Sequence, residues 1–331
     1  MALPVLDYST WRFKVNQNLD SPGTALECFQ QLLWAIKDSL IAGSGWTDSA
    51  GAAASVTSPW TVVASANGTV ADTADNWATS ADLVSAVPGN PHSWIVLRQT
   101  GVNGQNQEFC IDLYYTNPSR VGIIWSPVNG FDVSSPVTTA RPTATDEFVL
   151  WTTGGDWLTT YITFNCALHV LMTDGGECTR FFVYIGGACK TFLAMEKPKD
   201  SDLNWSNPAV LYNTPREPPA YTTLNDITRA YINVPGSTVA CYLSSLAYGA
   251  AMIGQNLTVA NEVSGCWPMI PVRVVGSTYP AVGLVGTLRD TWWGAASVAD
   301  GDTYPDTGTL KQFLQVGNLI IPWNQSTPLL T

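Results

Sequence analysis

In one stretch of the chain the apolar positions recur every three or four residues: Leu26, Phe29, Leu32, Leu33, Ile36 and Leu40. On an α-helix that spacing gathers them into a single stripe. Thr24, followed three residues later by Glu27, forms a capping-box pattern, and Pro22 and Gly23 interrupt the chain just ahead. Gly43 and Gly45 mark the far end. The spacing predicts an amphipathic helix over 24–41, lying across one face of a sheet.

Elsewhere the pattern changes to alternation broken by turn residues, the signature of strands. PWTVVASANG runs into an Asn67-Gly68 turn, and a Ser/Thr/Asp/Ala-rich loop follows from Val70 to Pro88 with one helical turn at most. HSWIVLRQT and QEFCIDLYY predict a hairpin, which VGIIWSPVNGF extends to a three-stranded meander. WLTTYITFNCALHVLMTDGGECTRFFVYIGG reads as a second hairpin turning at Asp174-Gly175-Gly176, with TFLAMEKPKD alongside it. Five prolines between 198 and 224 (Pro198, Pro208, Pro215, Pro218 and Pro219) are expected to exclude a central strand or helix there. CYLSSLAYGAAMIGQ fits a short helix or a buried strand equally well. PMIPVRVVG, VGLVGTLRDTWWG, LKQFLQVGN and NLIIPWN supply the last strands. The expected architecture is mainly β: antiparallel, β-sandwich-like sheets with one principal N-terminal helix. Its divisions are a helix-plus-sheet domain over 1–197, a Pro-rich arm or linker over 198–224, and a second β region over 225–331, packed on the first or separate from it.

Composition narrows the function. Only 12% of residues are charged, against roughly a quarter in an average globular domain. Fourteen tryptophans accompany them, and the net charge is −11. The few basic residues are scattered, which disfavours nucleic acid as a partner. No apolar run approaches the roughly 20 residues of a membrane-spanning helix. The opening MALPVLDYSTWRF lacks the basic and apolar regions of a signal peptide, so synthesis in a cytosol is expected. The seven cysteines are then expected to be reduced, buried thiols.

Candidate chemistry is thin. Cys166, His169, Cys178 and Cys189 have ligand types suited to zinc, but the odd offset between Cys166 and His169 puts them on opposite faces of an alternating strand. No nucleophile elbow accompanies His92 or His169, and no phosphate-binding glycine motif occurs. Asp112, Asp146, Glu147, Asp156, Asp174, Glu177 and Glu196 are the carboxylates available for glycoside cleavage, and nothing singles out a proton donor among them. The reading is therefore a protein that is not an enzyme and needs no metal or cofactor. Tryptophans spread from end to end favour core and protein–protein interface over a single glycan platform.

DYSTWRFKVNQNL with FQQLLWAIKDSLI, SWIVLRQTG with EFCIDL, the loop TTARPTATDE, the late VGLVGTLRDTWWG and the closing VGNLIIPWNQSTPLL together resemble virion structural proteins of tailed bacteriophages and prophages. The resemblance spans most of the chain and implies a virion location, assembly in the host bacterial cytoplasm, and contacts with further copies of itself and with other virion proteins. It carries no catalytic residue onto this chain. A compact tail or baseplate component is the expected role. A capsid-surface protein, or a module binding a host glycan or receptor, is the alternative. The residues expected at interfaces are Pro208, Pro215, Pro218, Pro219, Trp292, Trp293, Leu319, Ile321 and Trp323. An equally available role for Leu319 to Ile321 is to close the chain's own sheet.

Overall fold

The computed structural model describes residues 10–16, 25–41, 44–57, 60–83, 93–99, 107–117, 120–128, 148–152, 166–176, 178–185, 188–196, 209–213, 229–234, 237–244, 270–276, 283–293, 303–305, 311–316 and 319–324. Its elements in chain order begin with β1 (Trp11–Asn16), α1 (Ala25–Ile41), β2 (Trp46–Thr47), β3 (Ala53–Ala54), β4 (Thr61–Asn67) and β5 (Ala71–Asp72). A single 3-10 turn at Ser80–Asp82 precedes β6 (Ser93–Gln99), β7 (Gln107–Asn117), β8 (Arg120–Val128) and β9 (Phe148–Thr152). Then come β10 (Cys166–Thr173), β11 (Cys178–Ile185), β12 (Ala188–Glu196), β13 (Ala209–Asn213), β14 (Arg229–Val234) and β15 (Ser237–Ser244). The last are β16 (Ile270–Gly276), β17 (Gly283–Trp293), β18 (Thr303–Pro305), β19 (Lys311–Val316) and β20 (Leu319–Asn324). The fold is mainly β, with antiparallel sheets and one principal helix among the described residues.

The strands form two sheets. The smaller has the order β5-β4-β6-β7-β8-β9, and contains the expected meander β6-β7-β8. Its strand β6 reads SWIVLRQ, nearly continuous in apolar residues, because both faces are covered: Trp94 and Val96 are buried on one side, Ile95 and Leu97 on the other. The larger sheet has the order β18-β19-β20-β17-β16-β15-β14-β13-β12-β11-β10-β1-β2-β3. The turn from β10 to β11 is the expected one at Asp174-Gly175-Gly176, where Gly176 takes a φ of 73° that a side chain would resist.

The Pro-rich segment departs from expectation. β13 lies inside the large sheet, paired with β12 on one side and β14 on the other. Pro208 and Pro215 bracket Ala209–Asn213 without entering it, so every residue of this short strand keeps the backbone N–H that the ladder needs. Proline density over the whole segment says little about five proline-free residues. Sheet pairing therefore passes through 209–213 without a break.

The helix also departs from expectation, because it meets both sheets. It packs on β10 of the large sheet and on β4, β7 and β8 of the small one. Leu32, Leu33, Ile36 and Leu40 are buried, as the apolar stripe requires. So are Ala35 and Lys37, which a helix lying on one sheet would leave in solvent. Lys37 survives burial because its ammonium donates to Asp75 Oδ2 at 2.7 Å and to the Trp77 carbonyl. On the opposite side Lys14 of β1 reaches Asp38 of the helix at 3.3 Å. Gln30 and Trp34 add hydrogen bonds to the Leu83 and Ala78 carbonyls. The helix is an interlayer, tied by side chains to the loop at 75–83 and to β1.

Leu33 lies at 0% exposure in this interlayer. Leu33→Asp would place a charge with no built counter-ion there, at a cost on the order of 3–5 kcal/mol. The expected result is a large fall in the urea midpoint, or no cooperative transition at all. An unchanged midpoint would show that the helix does not bear on stability.

Candidate functional site

Register determines which side chains share a face of the large sheet. Across β1, β10 and β11, Phe13 pairs with Leu171 and Leu171 with Arg180. One row along, Trp11 pairs with Thr173, and Cys178 with Glu196 of β12. Trp11, Arg180, Cys178 and Glu196 therefore occupy one face. Lys14, Val170 and Phe181 occupy the other, the face toward the helix.

The first face is covered by the same sheet folding back. Trp323 of β20 lies over it, with its ring 5.4 Å from that of His169 and 5.9 Å from that of Phe182. Beside it β17 supplies a bulge. Pro271 of β16 pairs with Trp292, and Arg273 with Thr287, so four residues of β17 (Leu288, Arg289, Asp290 and Thr291) stand opposite the single Val272. An excursion of this kind re-aims side chains and backbone groups out of the ladder. Asp290 within it has a φ of 42°, the one non-glycine residue with positive φ among those described.

The bulge closes on a buried ion pair. Arg180 and Glu196 are both at 0% side-chain exposure and meet at 3.2 Å. Arg180 Nη2 also donates to Thr291 Oγ1 at 2.7 Å and to the Arg289 carbonyl. The Arg289 backbone N–H donates to Glu196 Oε1 at 2.7 Å, while its guanidinium reaches Thr10 Oγ1 at 2.9 Å. The guanidinium of Arg180 lies 4.6 Å from the centre of the Trp11 ring, a cation–π distance. The Trp11 indole N–H donates to Asp290 Oδ2 at 2.8 Å. Four strands, β1, β11, β12 and β17, thus converge on one polar cluster.

Its electrostatics do not favour nucleophilic chemistry. The Cys178 thiol donates to Glu196 Oε2 at 3.3 Å, and burial pushes its pKa well above the ordinary thiol range, so it stays a thiol and not a thiolate. His169 is fully buried on the same face, and desolvation lowers its pKa to about 4, leaving it neutral near pH 7. Burial also raises the pKa of Asp290, partly offset by the Trp11 hydrogen bond and the two arginines. Glu196 is taken up by Arg180 and by a backbone amide, and Asp174 by Thr57 and Arg12. The arrangement is a clasp that joins distant strands.

The zinc-type residues do not converge. Cys166 pairs with Ile185, whereas Cys178 begins β11 seven residues earlier, roughly 23 Å away along an extended strand. Among the described residues no group of three or more His, Cys, Asp or Glu side chains could hold a metal ion. Cys110 and Cys178 are free thiols.

Of the expected interface residues, Trp292, Ile321 and Trp323 lie in the chain's own interior, at 3%, 0% and 1% exposure. They do not present an interface from the single subunit, because the fold-back of β17 and β20 already covers them. Trp293 pairs with Leu319 in the ladder between those two strands, which is the sheet-closing role for Leu319 to Ile321. Pro208, Pro215, Pro218 and Pro219 lie outside the described residues, as do His92, Thr24, Asp146, Glu147 and Asp156. Trp60, Trp77 and Trp94 are likewise core residues and form no exposed glycan platform. Glu196 and Cys178 stand in the sequence as candidates for other chemistry, and no motif there marks Trp11, Arg289, Asp290 or Thr291. One signal was present: Arg180 stands alone among apolar residues in CTRFFVYI, and a buried guanidinium demands acceptors from elsewhere in the chain.

No protein-family model matches the sequence, and no curated protein matches it.

Arg180→Ala and Glu196→Ala should each cost on the order of 3–5 kcal/mol, since each leaves a buried charge without its partner. The double change Arg180→Ala with Glu196→Ala should cost clearly less than the sum. Urea melts of the three variants read this directly, and strict additivity would show that the two charges do not interact. His169 supplies a separate pH effect. Its folded pKa is below the ordinary value, so its contribution is fully present above about pH 6.5 and is lost as pH falls toward about 4. His169→Phe should flatten stability over that window, by up to roughly 3 kcal/mol.

Proposed function

We propose that the protein is a structural subunit of a tailed-phage virion, a tail or baseplate component that works through contacts with further copies of itself and with other virion proteins. What carries the reading is how sparsely charged the chain is. Only 12% of the residues are charged. Among the described cations, Arg12, Lys14, Lys37, Arg180 and Arg289 each pair with a carboxylate of the same chain. A chain so sparsely charged suits a subunit covered by other protein. The phrase-level resemblance to phage virion proteins points the same way. The tryptophans add less than their number suggests, since those described are mostly core.

Closed symmetry is the ordinary solution for identical subunits, and a three- or six-fold ring fits a tail position. In this reading the buried clasp is scaffolding, and the protein catalyses no reaction.

Two measurements test the proposal together: the mass of the purified protein in solution, and its copy number in purified particles of the phage or prophage that encodes it. The expected result is a symmetric homo-oligomer, present in particles at a fixed multiple of that symmetry. A stable monomer absent from particles would overturn it. A shell-like copy number would move the protein to the capsid surface, and binding to host glycans by the isolated protein would favour the receptor-binding alternative.

A further inference from the structure

The β4–β5 hairpin turns at Gly68 and Thr69, so the residue that closes it is an asparagine followed by a glycine. The Asn67 N–H donates to the Val70 carbonyl at 3.0 Å. The Asn67 side chain folds over the turn, its Oδ1 accepting from the Thr69 N–H at 3.0 Å and from the Val70 N–H at 2.9 Å. Gly68 takes a φ of 87°, a conformation that a two-residue hairpin turn gives to glycine at its first position. We propose that Asn67 is a self-modification site. The Gly68 backbone nitrogen displaces the side-chain amide as ammonia, and the chain passes through a succinimide to aspartate and isoaspartate. The inference concerns the hairpin alone and does not depend on a virion role.

Three features of the turn favour the attack. Glycine has no Cβ to stand against the five-membered ring as it closes. The two N–H groups on Oδ1 polarise the amide and face the oxygen on which negative charge develops, at distances where such donors stabilise an oxyanion. Among the described residues the Gly68 N–H has no acceptor, and Thr69 and Val70 are exposed, so solvent base and water reach the turn. Solvent base takes the Gly68 N–H proton. The nitrogen pair then forms a bond to Asn67 Cγ, and the carbonyl π pair moves onto Oδ1. When that pair returns, the Cγ–Nδ2 bond breaks, and Nδ2 takes a proton from solvent and leaves as ammonia. Water next adds to either carbonyl of the succinimide. Breaking the ring bond at Cγ leaves aspartate; breaking it at the backbone carbonyl carbon leaves isoaspartate, whose chain runs through the side chain. One amide and one water are consumed, and one acid and one ammonia are released.

The two products differ in what they do to the hairpin. Aspartate at position 67 keeps an oxygen for the Thr69 and Val70 N–H groups, and its charge strengthens both bonds. Isoaspartate inserts one more carbon into the backbone at the turn, so the closing bond to Val70 no longer meets its partner. β5 is held to β4 by two residue pairs alone, Ser65 with Asp72 and Ala66 with Ala71. An edge strand that short opens locally once its turn is lost. The stretch behind it covers Ser65, whose hydroxyl donates to the Ala74 carbonyl at 2.8 Å and accepts from the Asn76 N–H at 2.8 Å. Isoaspartate therefore loosens the β5 edge of the small sheet, and aspartate does not.

The test is to age the folded full chain for several weeks in neutral and in mildly alkaline buffer, beside the same chain unfolded in urea. Peptide mass mapping reads amide against acid at position 67, and enzymatic methylation of isoaspartate separates the two products. The other Asn-Gly pairs, Asn103-Gly104 and Asn129-Gly130, lie outside the described residues and are read at their own positions. The folded chain should gain acid at 67, faster in the alkaline buffer. An intact amide at 67 in the folded chain, under conditions that convert the unfolded one, would overturn the proposal. Asn67→Ser keeps an acceptor oxygen and has no amide to lose. Hydrogen exchange over 71–76 should quicken in the aged parent in step with its isoaspartate content, and stay constant in the variant. Conversion with unchanged exchange would overturn the release of β5. Should the variant not fold, mass mapping and exchange on the parent alone still decide both points.

Discussion

A guanidinium sealed from water must find its acceptors inside the protein, and Arg180 finds them on strands far apart in sequence. Glu196 comes from the neighbouring β12, but Thr291 and the Arg289 carbonyl come from β17, more than a hundred residues away. This requirement gives the large sheet its shape. A sheet of this length with its natural twist has no reason to return to itself at one place and not another. The demand of Arg180 for acceptors, together with the reply of Glu196 to the Arg289 amide, fixes where β17 lands. Once it has landed, Trp323 covers His169 and Phe182, and the apolar part of the closure follows the polar part.

The helix solves a complementary problem. The large sheet has its fold-back on one face, leaving Lys14, Val170 and Phe181 on the other. α1 covers that face and then touches the small sheet with its remaining surface. A helix between two sheets needs apolar residues on most of its circumference, or ion pairs where it has none. It uses both: the stripe from Leu32 to Leu40, and Lys37 bound to Asp75. The amphipathic pattern made the stripe visible, but said nothing of the second sheet, because a lysine in a sequence reads as a solvent-facing residue until its partner is seen.

The same division runs through the rest of the chain. The hairpins β6–β7 and β10–β11, the meander to β8 and the glycine turn at 174–176 were legible, because alternation and turn residues are local signals. β13 was missed because prolines were weighed over a window of 27 residues when the ladder needed only five free of them. Ile321 and Trp323 belong to an apolar run that looks unclaimed in the sequence, and Trp292 is an expected contact beside them; the fold-back buries all three. Of the clasp, only the lone Arg180 in an apolar strand shows in the sequence. Asp290 gives no periodic signal, and its backbone conformation is set by a bulge whose register depends on both flanking strands.

The hydrogen bond from Trp11 to Asp290 spans 279 positions of the chain. On the ribosome, β1 emerges well before both β10, its ladder neighbour, and the bulge that secures Trp11. Loop closure on that scale comes late in folding and makes β-rich chains slow. Until then, the indole of Trp11 has no native hydrogen-bond partner on the nascent chain, and α1 can pack only on the small sheet and the loop at 75–83. β1 is thus made long before the strands that bury it, and the interval between those events is when the chain is most exposed to mispairing with its own copies.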